Sequence, residues 1–422
     1  MRPHPWFSPI RIISTDSVRA MATIFAVAMA GSLAAAQPAN LASGPLIVNE
    51  KSRIAVMEYE AWFGPEAANF QGSSAMPLLQ SADMQSVGGG YDSADPAIIQ
   101  QHVEWLEGMG VDAAISEVTN NVSCIFDSEW FAKKYIGNCS PAFRRYNQNI
   151  RDNTGNLYPA WSALGTRMKL IPLLGGIDAN VLFKDLDGKT AFEKEIEYFG
   201  KRLSEYPNLA VVYQGKPLML IFLGAGQNPD PTQHPLWFRL EEFLAQHPEI
   251  SEKYTFRLMA GYLDSQPALW VNPGTPDGPV EISPVYGFWS WVDRLNPSCS
   301  QPLCPYYPSY NLAGSRVENL TVSIATAGQS GWGCPHPESL PYCPDDALRF
   351  GPDDGYSTFD SFMVYAEQLD PIFLVLHQFN EFAKPDEGFD ANTNDEIEPA
   401  NLWGKGALPA VRDEIRAYKQ NE

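Results

Sequence analysis

Hydrophobic and polar positions along the chain follow two alternating patterns, which predict strands and helices in turn. The strand pattern is a short, largely apolar run, and one such run, Pro217–Leu223, is apolar at every position, as in a parallel strand buried on both faces. The eight predicted strands are Arg53–Tyr59, Val111–Val118, Met168–Leu174, Pro217–Leu223, Phe256–Leu263, Pro284–Trp291, Leu320–Thr326 and Ile372–Phe379.

Apolar residues spaced three or four apart predict helices between these strands. In the first helix, Ser93 or Asp95 provides the N-terminal cap, Pro96 stands in the first turn and Gly110 ends the helix. Four more helices are predicted: a long one from about Pro141, then Thr190–Tyr206, Leu236–Gln246 and Ser357–Gln368. This alternation favours a single (β/α)8 barrel. An open doubly wound sheet is the competing interpretation, but it would prefer a glycine-rich phosphate loop after the first strand, and none follows Tyr59.

The N-terminus has the pattern of a secretory signal. Basic residues flank the apolar run Met21–Ala36, and three small residues precede Gln37. An uncleaved membrane anchor is the alternative, although the run is short for a span of about 20 residues. We therefore divide the chain into a signal peptide (1–36), an N-terminal extension (37–50) and the barrel (51–422), and we expect a secreted protein, extracellular or periplasmic, with no membrane partner after cleavage.

Six cysteines in an exported chain predict disulfide bonds. Fifteen connectivities are possible, and proximity favours Cys124–Cys139, Cys299–Cys304 and Cys334–Cys343. The long segments Asn296–Arg316 and Gly328–Asp354 are predicted to be loops held by the last two bonds, or else mobile flaps. Three N-x-S/T sequons, at Asn121, Asn138 and Asn319, would mark surface loops in a pathway that glycosylates, unless they occur by chance.

The net charge of the chain and the absence of two catalytic motifs argue against several classes of function. The formal net charge is −21, and a field of that sign repels phosphate backbones, so nucleic acid is not an expected partner. The chain contains neither the HExxH motif of zinc proteases nor the GxSxG motif of serine esterases. The pattern gives no indication of the oligomeric state.

Carboxylates and indoles gather where the predicted strands end, which is where barrel enzymes carry their chemistry. Sugars offer CH faces to aromatic rings and hydroxyls to carboxylates, and cleavage of a glycosidic bond needs a proton donor and a second carboxylate. Glu381 directly follows the last strand, with Asn380 beside it to orient a substrate hydroxyl or the carboxylate. Trp289 and Trp291 lie on one face of a strand, where each either stacks on sugars or fills the barrel.

The segment from Asn380, NEFAKPDEG, followed by Ile397-Glu398-Pro399, resembles the NEW-x-EG…IEP signature of glycoside hydrolase family 99, the endo-α-mannosidase family, and its WbsX-like bacterial relatives. The stretch Tyr91–Ile115 is similar to the YDSSDP…H stretch of these proteins, and the QGKPLMLIF and GKGALPAVRDEIRAY segments match in style. The resemblance implies a (β/α)8 barrel that cleaves glycosidic bonds with retention of configuration. It implies catalytic roles for Glu381, which assists the 2-hydroxyl, and for Glu387, the acid/base, and a substrate or loop contact for Glu398.

Two departures from the family pattern affect these roles. Phe382 replaces the tryptophan, and Lys384, Pro385 and Asp386 lengthen the spacing between the two glutamates. If this insertion moves Glu387 away, the second carboxylate comes from Glu117, Glu58, Asp178 or Asp264. The residues that we assign to substrate binding are Glu58, Tyr59, Trp62, Tyr91, Asp92, Glu117, Asp178, Asp264, Trp289, Trp291, Asn380 and Glu398.

The sequence thus predicts a secreted glycoside hydrolase with a carbohydrate substrate and no required cofactor. The altered glutamate spacing leaves a second hypothesis, a binding protein that kept the barrel but lost turnover, and an exported lipid or peptide hydrolase is a third. Alternating oxygen ligands at Asp390, Asn392, Asn394 and Glu396 suggest a calcium loop, whereas the simpler interpretation of the same segment is a solvated turn. His102 and His377 are interpreted as hydrogen-bonded core residues.

Overall fold

The sheet is built from the strands that the sequence predicts. The computed structural model describes residues 44–420 except 69, 71–74, 120–121, 132–138, 176–183, 223–235, 261–279, 282–285, 291–294, 297–303, 306–310, 314–315, 325–356 and 383–395. The strands are β1 Leu46–Val48, β2 Ile54–Tyr59, β3 Ala113–Val118, β4 Lys169–Leu174, β5 Val211–Tyr213, β6 Lys216–Phe222, β7 Thr255–Ala260, β8 Val280–Glu281, β9 Tyr286–Ser290, β10 Leu295–Asn296, β11 Cys304–Pro305, β12 Asn311–Ala313, β13 Arg316–Val317, β14 Asn319–Ser323 and β15 Phe373–His377.

All eight predicted strands are confirmed in the described residues, as β2, β3, β4, β6, β7, β9, β14 and β15. They run parallel, and each pairs with the next in chain order except β9 with β14, while β15 pairs with both β14 and β2. The protein is therefore a mixed α/β fold with a sheet in which parallel pairs dominate. Among the described residues, β9 and β14 stand at the two ends of this order with no backbone pairing between them.

The helices lie between these strands, and their ends follow the local sequence. They are α1 Pro96–Met109, α2 Val122–Phe126, α3 Glu129–Phe131, α4 Pro141–Leu164, α5 Ala191–Glu205, α6 Leu236–Gln246, α7 Pro248–Ser251, α8 Ser357–Leu369 and α9 Ala407–Gln420. The Asp95 side chain caps α1, and Thr190 with Glu193 forms a capping box on α5. No helix in the described part of the chain has both the length and the apolar character needed to cross a bilayer.

The sheet has an apolar core on each face. The larger core packs alternate strand residues, such as Met57 and Leu374, against the apolar faces of the helices. The smaller core gathers the intervening residues of the same strands, including Val56, Ile115 and Val375. This is the two-residue period of strands buried on both sides, and we call the face of the smaller core the inner face.

Side chains from distant strands meet on the inner face. The rings of Trp289 on β9 and Phe373 on β15 lie 4.7 Å apart, centroid to centroid, and Trp289 Nε1 donates to Glu318 Oε1 beside β14 at 2.7 Å. Six steps of pairing separate β9 from β15, which would be about 29 Å in a flat sheet with strands about 4.8 Å apart. The sheet is therefore strongly curved, and its end strands lie close together.

Several features differ from the predictions. Leu46–Val48, within the predicted extension, joins the sheet through β5. The segment Asn296–Arg316, predicted to be a loop, contributes the short strands β11 and β12 and borders β10 and β13. Asn319 is buried in β14, so its sequon does not mark a surface loop.

One predicted disulfide is confirmed and the others are untested. Cys124 and Cys139 form a bond with their Cα atoms 5.6 Å apart. The side chains of the other two predicted pairs, the segment Gly328–Asp354 and the predicted signal peptide lie outside the described residues.

Candidate active site

Three neighbouring strands deliver titratable side chains to one end of the inner face. Glu58 lies on β2, Glu117 on β3 and His377 on β15, each near the carboxyl end of its strand. Each follows inner-face residues at steps of two: Val56 precedes Glu58, Ile115 precedes Glu117, and Val375 precedes His377. Strand periodicity therefore places the three side chains on the same face. All three are buried.

Two more glutamates complete this group, which we call the carboxylate cluster: Glu58, Glu60, Glu117 and Glu381 with His377. His377 Nδ1 is hydrogen-bonded to Glu58 Oε2. Glu60, just after β2, is 1% exposed, and among the described residues its Oε2 has no hydrogen-bonding partner. Glu381, which follows β15, is partly exposed. The cluster is therefore in contact with solvent at Glu381.

Burial and mutual repulsion hold protons on this cluster. Desolvation, followed by the charges of Glu381 and Glu58, raises the pKa of Glu117 to about 8, although a hydrogen bond from Thr119 and the charge of His377 oppose the rise. Desolvation and the charges of Glu117, Glu381 and Glu58 also raise the pKa of Glu60 well above its ordinary value. The site thus keeps a neutral carboxylic acid at neutral pH beside further carboxylates, the arrangement that acid/base catalysis by two carboxyl groups requires.

The position of Glu117 is fixed by a close approach of two strand ends. The hydroxyl of Thr119 donates to Glu117 Oε1. A Cβ at Gly175, just after β4, would stand 2.2 Å from the carbonyl oxygen of Thr119, so only glycine allows this approach. The buried Glu195 on α5 accepts from the Gly175 N–H at 3.2 Å. The backbone next to Glu117 is therefore anchored to a helix.

Behind the cluster, a buried polar network joins the β15 end to the Ile397-Glu398-Pro399 segment. Asn380 accepts from the Glu60 N–H and donates to the Glu60 carbonyl and the Tyr91 hydroxyl, each at 2.9 Å. Tyr91 donates to Glu398 Oε2 at 2.7 Å, and His102 Nε2 lies 3.3 Å from Glu398 Oε1. His102 Nδ1 also pairs with the Tyr59 hydroxyl at 2.8 Å, which confirms His102 as a hydrogen-bonded core residue.

Four residues that the sequence predicts to bind substrate lie inside this network. Tyr59, Tyr91, Asn380 and Glu398 are all buried, and their polar atoms bond to one another or to Glu60 and His102. They support the carboxylate cluster from behind. Trp289 is also buried and fills the inner face against Phe373, so of its two predicted roles the structure supports packing.

Of the other predicted site residues, some lie in the part of the chain that the structure describes and some lie outside it. Trp62 and Asp92 are partly exposed, and Glu58 and Glu117 belong to the cluster. Glu396 is fully buried, and no three His, Cys, Asp or Glu side chains in the described part of the chain are arranged to hold a metal ion. The predicted site residues that lie outside the described residues are Asp178, Asp264, Trp291, Glu387, Asp390, Asn392 and Asn394.

Sequence reasoning gave too little weight to Glu60 and His377. The interpretation of His377 as a hydrogen-bonded core residue is confirmed, and its partner is a carboxylate of the site. His377 alternates in step with Phe373 and Val375 on β15, and this two-residue spacing is the sequence feature that places its side chain on the inner face. Glu60 lies one residue beyond β2, where strand periodicity no longer indicates a direction, so only the bonds from Asn380 reveal its placement.

The backbone turns sharply after Glu381. Phe382 has a φ of 48°, in the left-handed region that L-residues seldom adopt. Its ring is buried among Phe63, Phe70 and Trp403. This packing holds a strained residue directly beside Glu381, as occurs at functional sites.

Comparisons with known proteins give remote likenesses. No protein-family profile matches the chain, and no curated protein matches it. Among solved structures, the chain is similar to a GH99 endo-α-mannosidase from Bacteroides thetaiotaomicron, with a TM-score of 0.48 and 13% identity over 87% of this chain and 98% of that one. It is also similar to a glycoside hydrolase-like protein (TM-score 0.45, 13% identity, 89% and 98% covered). A putative α-L-fucosidase from the same bacterium matches at a TM-score of 0.32 and 9% identity, covering 94% and 100%.

Proposed function

We propose that this protein is a secreted glycoside hydrolase that cleaves a glycan with retention of configuration. The observation that carries the proposal is a buried, neutral carboxylic acid, Glu117, at the carboxyl end of a parallel strand, where the charge of the partly exposed Glu381 helps to raise its pKa. Cleavage of a glycosidic bond needs one carboxyl group to protonate the leaving oxygen and another to act as nucleophile or base. The cluster supplies both.

In the proposed reaction, Glu117 donates its proton to the glycosidic oxygen as the bond to the anomeric carbon breaks. Glu381 supplies the second carboxylate, which takes the proton of the sugar's 2-hydroxyl while that oxygen displaces the leaving group. The carboxylate left on Glu117 then removes a proton from water as the water opens the intermediate, and Glu381 returns its proton to the 2-oxygen to restore the 2-hydroxyl. Atoms and charge balance, and both glutamates return to their starting states.

This proposal assigns the acid role to Glu117, whereas the family resemblance implies Glu387. Two observations favour Glu117: its pKa of about 8 suits a proton donor at neutral pH, and the anchored Thr119 holds its carboxyl group. A substrate with an activated aryl leaving group needs no proton from the enzyme. We expect Glu117→Gln to keep kcat/KM on such a substrate, because kcat/KM reports the first step, and to lose it on a natural glycan. The same behaviour from Glu387→Gln alone would return the role to Glu387.

We also propose that the curved sheet closes into a (β/α)8 barrel between β9 and β14. The support is the eight parallel strands in sequential order and the bond from Trp289 to Glu318 across the gap. In such a barrel, catalytic groups lie at the carboxyl ends of the strands, which is where the carboxylate cluster lies.

The proposal is tested by incubating the protein with a panel of polysaccharides and oligosaccharides and by following the anomeric protons of the products by NMR. We expect new reducing ends whose first-formed anomer matches the bond cleaved. A protein that binds glycans in calorimetry but releases no product in long incubations would be the carbohydrate-binding barrel instead. Release of the opposite anomer would refute retention.

A further inference from the structure

The carboxylate cluster contains more carboxyl groups than the proposed reaction uses. Two carboxyl groups suffice for glycoside cleavage, and a third, Glu58, is bonded to His377. Glu60 is the surplus member: it is 1% exposed, its Oε2 has no hydrogen-bonding partner among the described residues, and the charges of Glu58, Glu117 and Glu381 all act on it. Its carboxyl group therefore lies close enough to the other three for their charges to act on it.

The backbone of Glu60 is also held firmly in place. Asn380 bonds to both the N–H and the carbonyl of Glu60, each at 2.9 Å, and is itself fixed by Tyr91. A buried polar atom without a partner carries a free-energy cost, so a rigidly placed one indicates a group that meets its partner in a ligand. Among the described residues, neither Glu60 nor Glu117 forms an ion pair with Lys or Arg. The described part of the chain therefore supplies no lysine or arginine side chain to pair with them.

We propose that the site binds a sugar carrying a free amino group, a hexosamine unit whose ammonium group lies against Glu60. An ammonium group has three N–H donors and a compact charge, so it can bond to Glu60 and to neighbouring carboxylates at once. In the free protein burial and the neighbouring charges raise the pKa of Glu60, which therefore holds a proton; a positive charge beside it lowers that pKa, so the ammonium group displaces the proton and the ion pair forms on binding. A neutral hydroxyl or an N-acetyl group supplies no charge. The net charge of −21 additionally draws cationic polymers toward the protein. The inference rests on the proposed function for the sugar nature of the ligand.

The test compares sugars that differ only at C2. Glucosamine, galactosamine and mannosamine are titrated calorimetrically at pH 7 in the presence of EDTA, against their N-acetyl forms and the parent hexoses. In at least one series we expect the amine to bind about tenfold or more tightly than its neutral counterparts, given the attraction of partly buried opposite charges. Equal affinities within all three series, or no detectable binding of any amine, would overturn the inference.

A variant localises the effect. Glu60→Gln keeps the size of the side chain and can never become a carboxylate, and we expect the preference for the amine to fall to near unity. Glu104→Gln, which removes an exposed carboxylate on α1, should leave the preference unchanged. If Glu60→Gln does not fold, the comparison of sugars on the unaltered protein still decides the matter.

Failure of this inference is distinguishable from failure of the proposed function. A protein that cleaves neutral glycans and shows no amine preference refutes the inference and retains the hydrolase. A protein that prefers the amine but cleaves no glycan supports the inference and refutes the hydrolase.

Discussion

His377 on β15 is hydrogen-bonded through Nδ1 to Oε2 of Glu58 on the neighbouring strand β2, and both side chains are buried. The pair lies inside the carboxylate cluster, where the charge of His377 lowers the pKa values of Glu60 and Glu117 against the effects of burial. One histidine therefore limits how strongly four glutamates repel one another.

We expect His377→Ala to lower the free energy of unfolding by about 3 kcal/mol, because removing one partner of a buried pair leaves the other charge poorly compensated. Glu58→Gln should also destabilise the protein. Urea unfolding of the two single variants and the double variant gives their coupling, which we expect to be about 1 kcal/mol or more. Additive effects would show that the two side chains do not depend on each other.

The raised pKa of Glu117 makes stability depend on pH in a definite direction. Because its pKa rises from 4.5 to about 8 on folding, the native state keeps a proton that the unfolded state has lost between these values. The stabilisation is complete below pH 4.5 and is lost as the pH rises toward 8. We expect Glu117→Gln to reduce this loss, leaving the part that comes from Glu60. A variant with the same pH profile of unfolding as the parent would contradict the assignment.

The network behind the site predicts a large effect on stability for the buried residue Asn380. Asn380→Ala removes three buried hydrogen bonds, and we expect a loss of about 3 kcal/mol in the free energy of unfolding. Tyr91→Phe removes two bonds, to Asn380 and Glu398, and should cost less, about 1–2 kcal/mol. Chemical denaturation measures both. Equal stability of Asn380→Ala and the parent would rule out the network as a support.

Two glycines with similar backbone angles allow the cost of a steric clash to be measured separately from the cost of backbone strain. Gly90 has φ +80° and a Cβ there would stand 2.1 Å from the Phe70 ring, whereas Gly188 has φ +79° with open space around it. We expect Gly188→Ala to cost about 1 kcal/mol for strain alone, and Gly90→Ala to cost about 3 kcal/mol or more because the Phe70 ring must also move. Thermal unfolding of both variants would reveal equal losses if packing at Phe70 were unimportant.

The backbone elements were predictable because local patterns determine them. Every predicted strand appears within three residues of its expected ends in the described part of the chain, since apolar runs between capped helices leave few alternatives. The short β5 was missed because its three residues, beside β6, are too few to show a period. The pairing of β1 with β5 was likewise invisible, because it joins segments more than 160 residues apart.

The site was only partly predictable. Strand parity identifies Glu58 and Glu117 as inward-facing, but burial decides which carboxyl group keeps its proton, and burial depends on the whole fold. The sequence analysis assigned Tyr91 and Glu398 to substrate binding. They are bonded to each other across 307 positions of the chain, a separation over which local patterns carry no information.

The most direct test of the central claim is the rate at which Glu381→Gln cleaves the glycan that the parent protein cleaves best, with Glu104→Gln as a charge-matched control. We expect a loss of kcat/KM of about 10²-fold or more for Glu381→Gln, as for removal of a group that handles a proton in the transition state, and no loss for the control. A Glu381→Gln variant that cleaves the glycan at the parental rate would contradict catalysis by the carboxylate cluster.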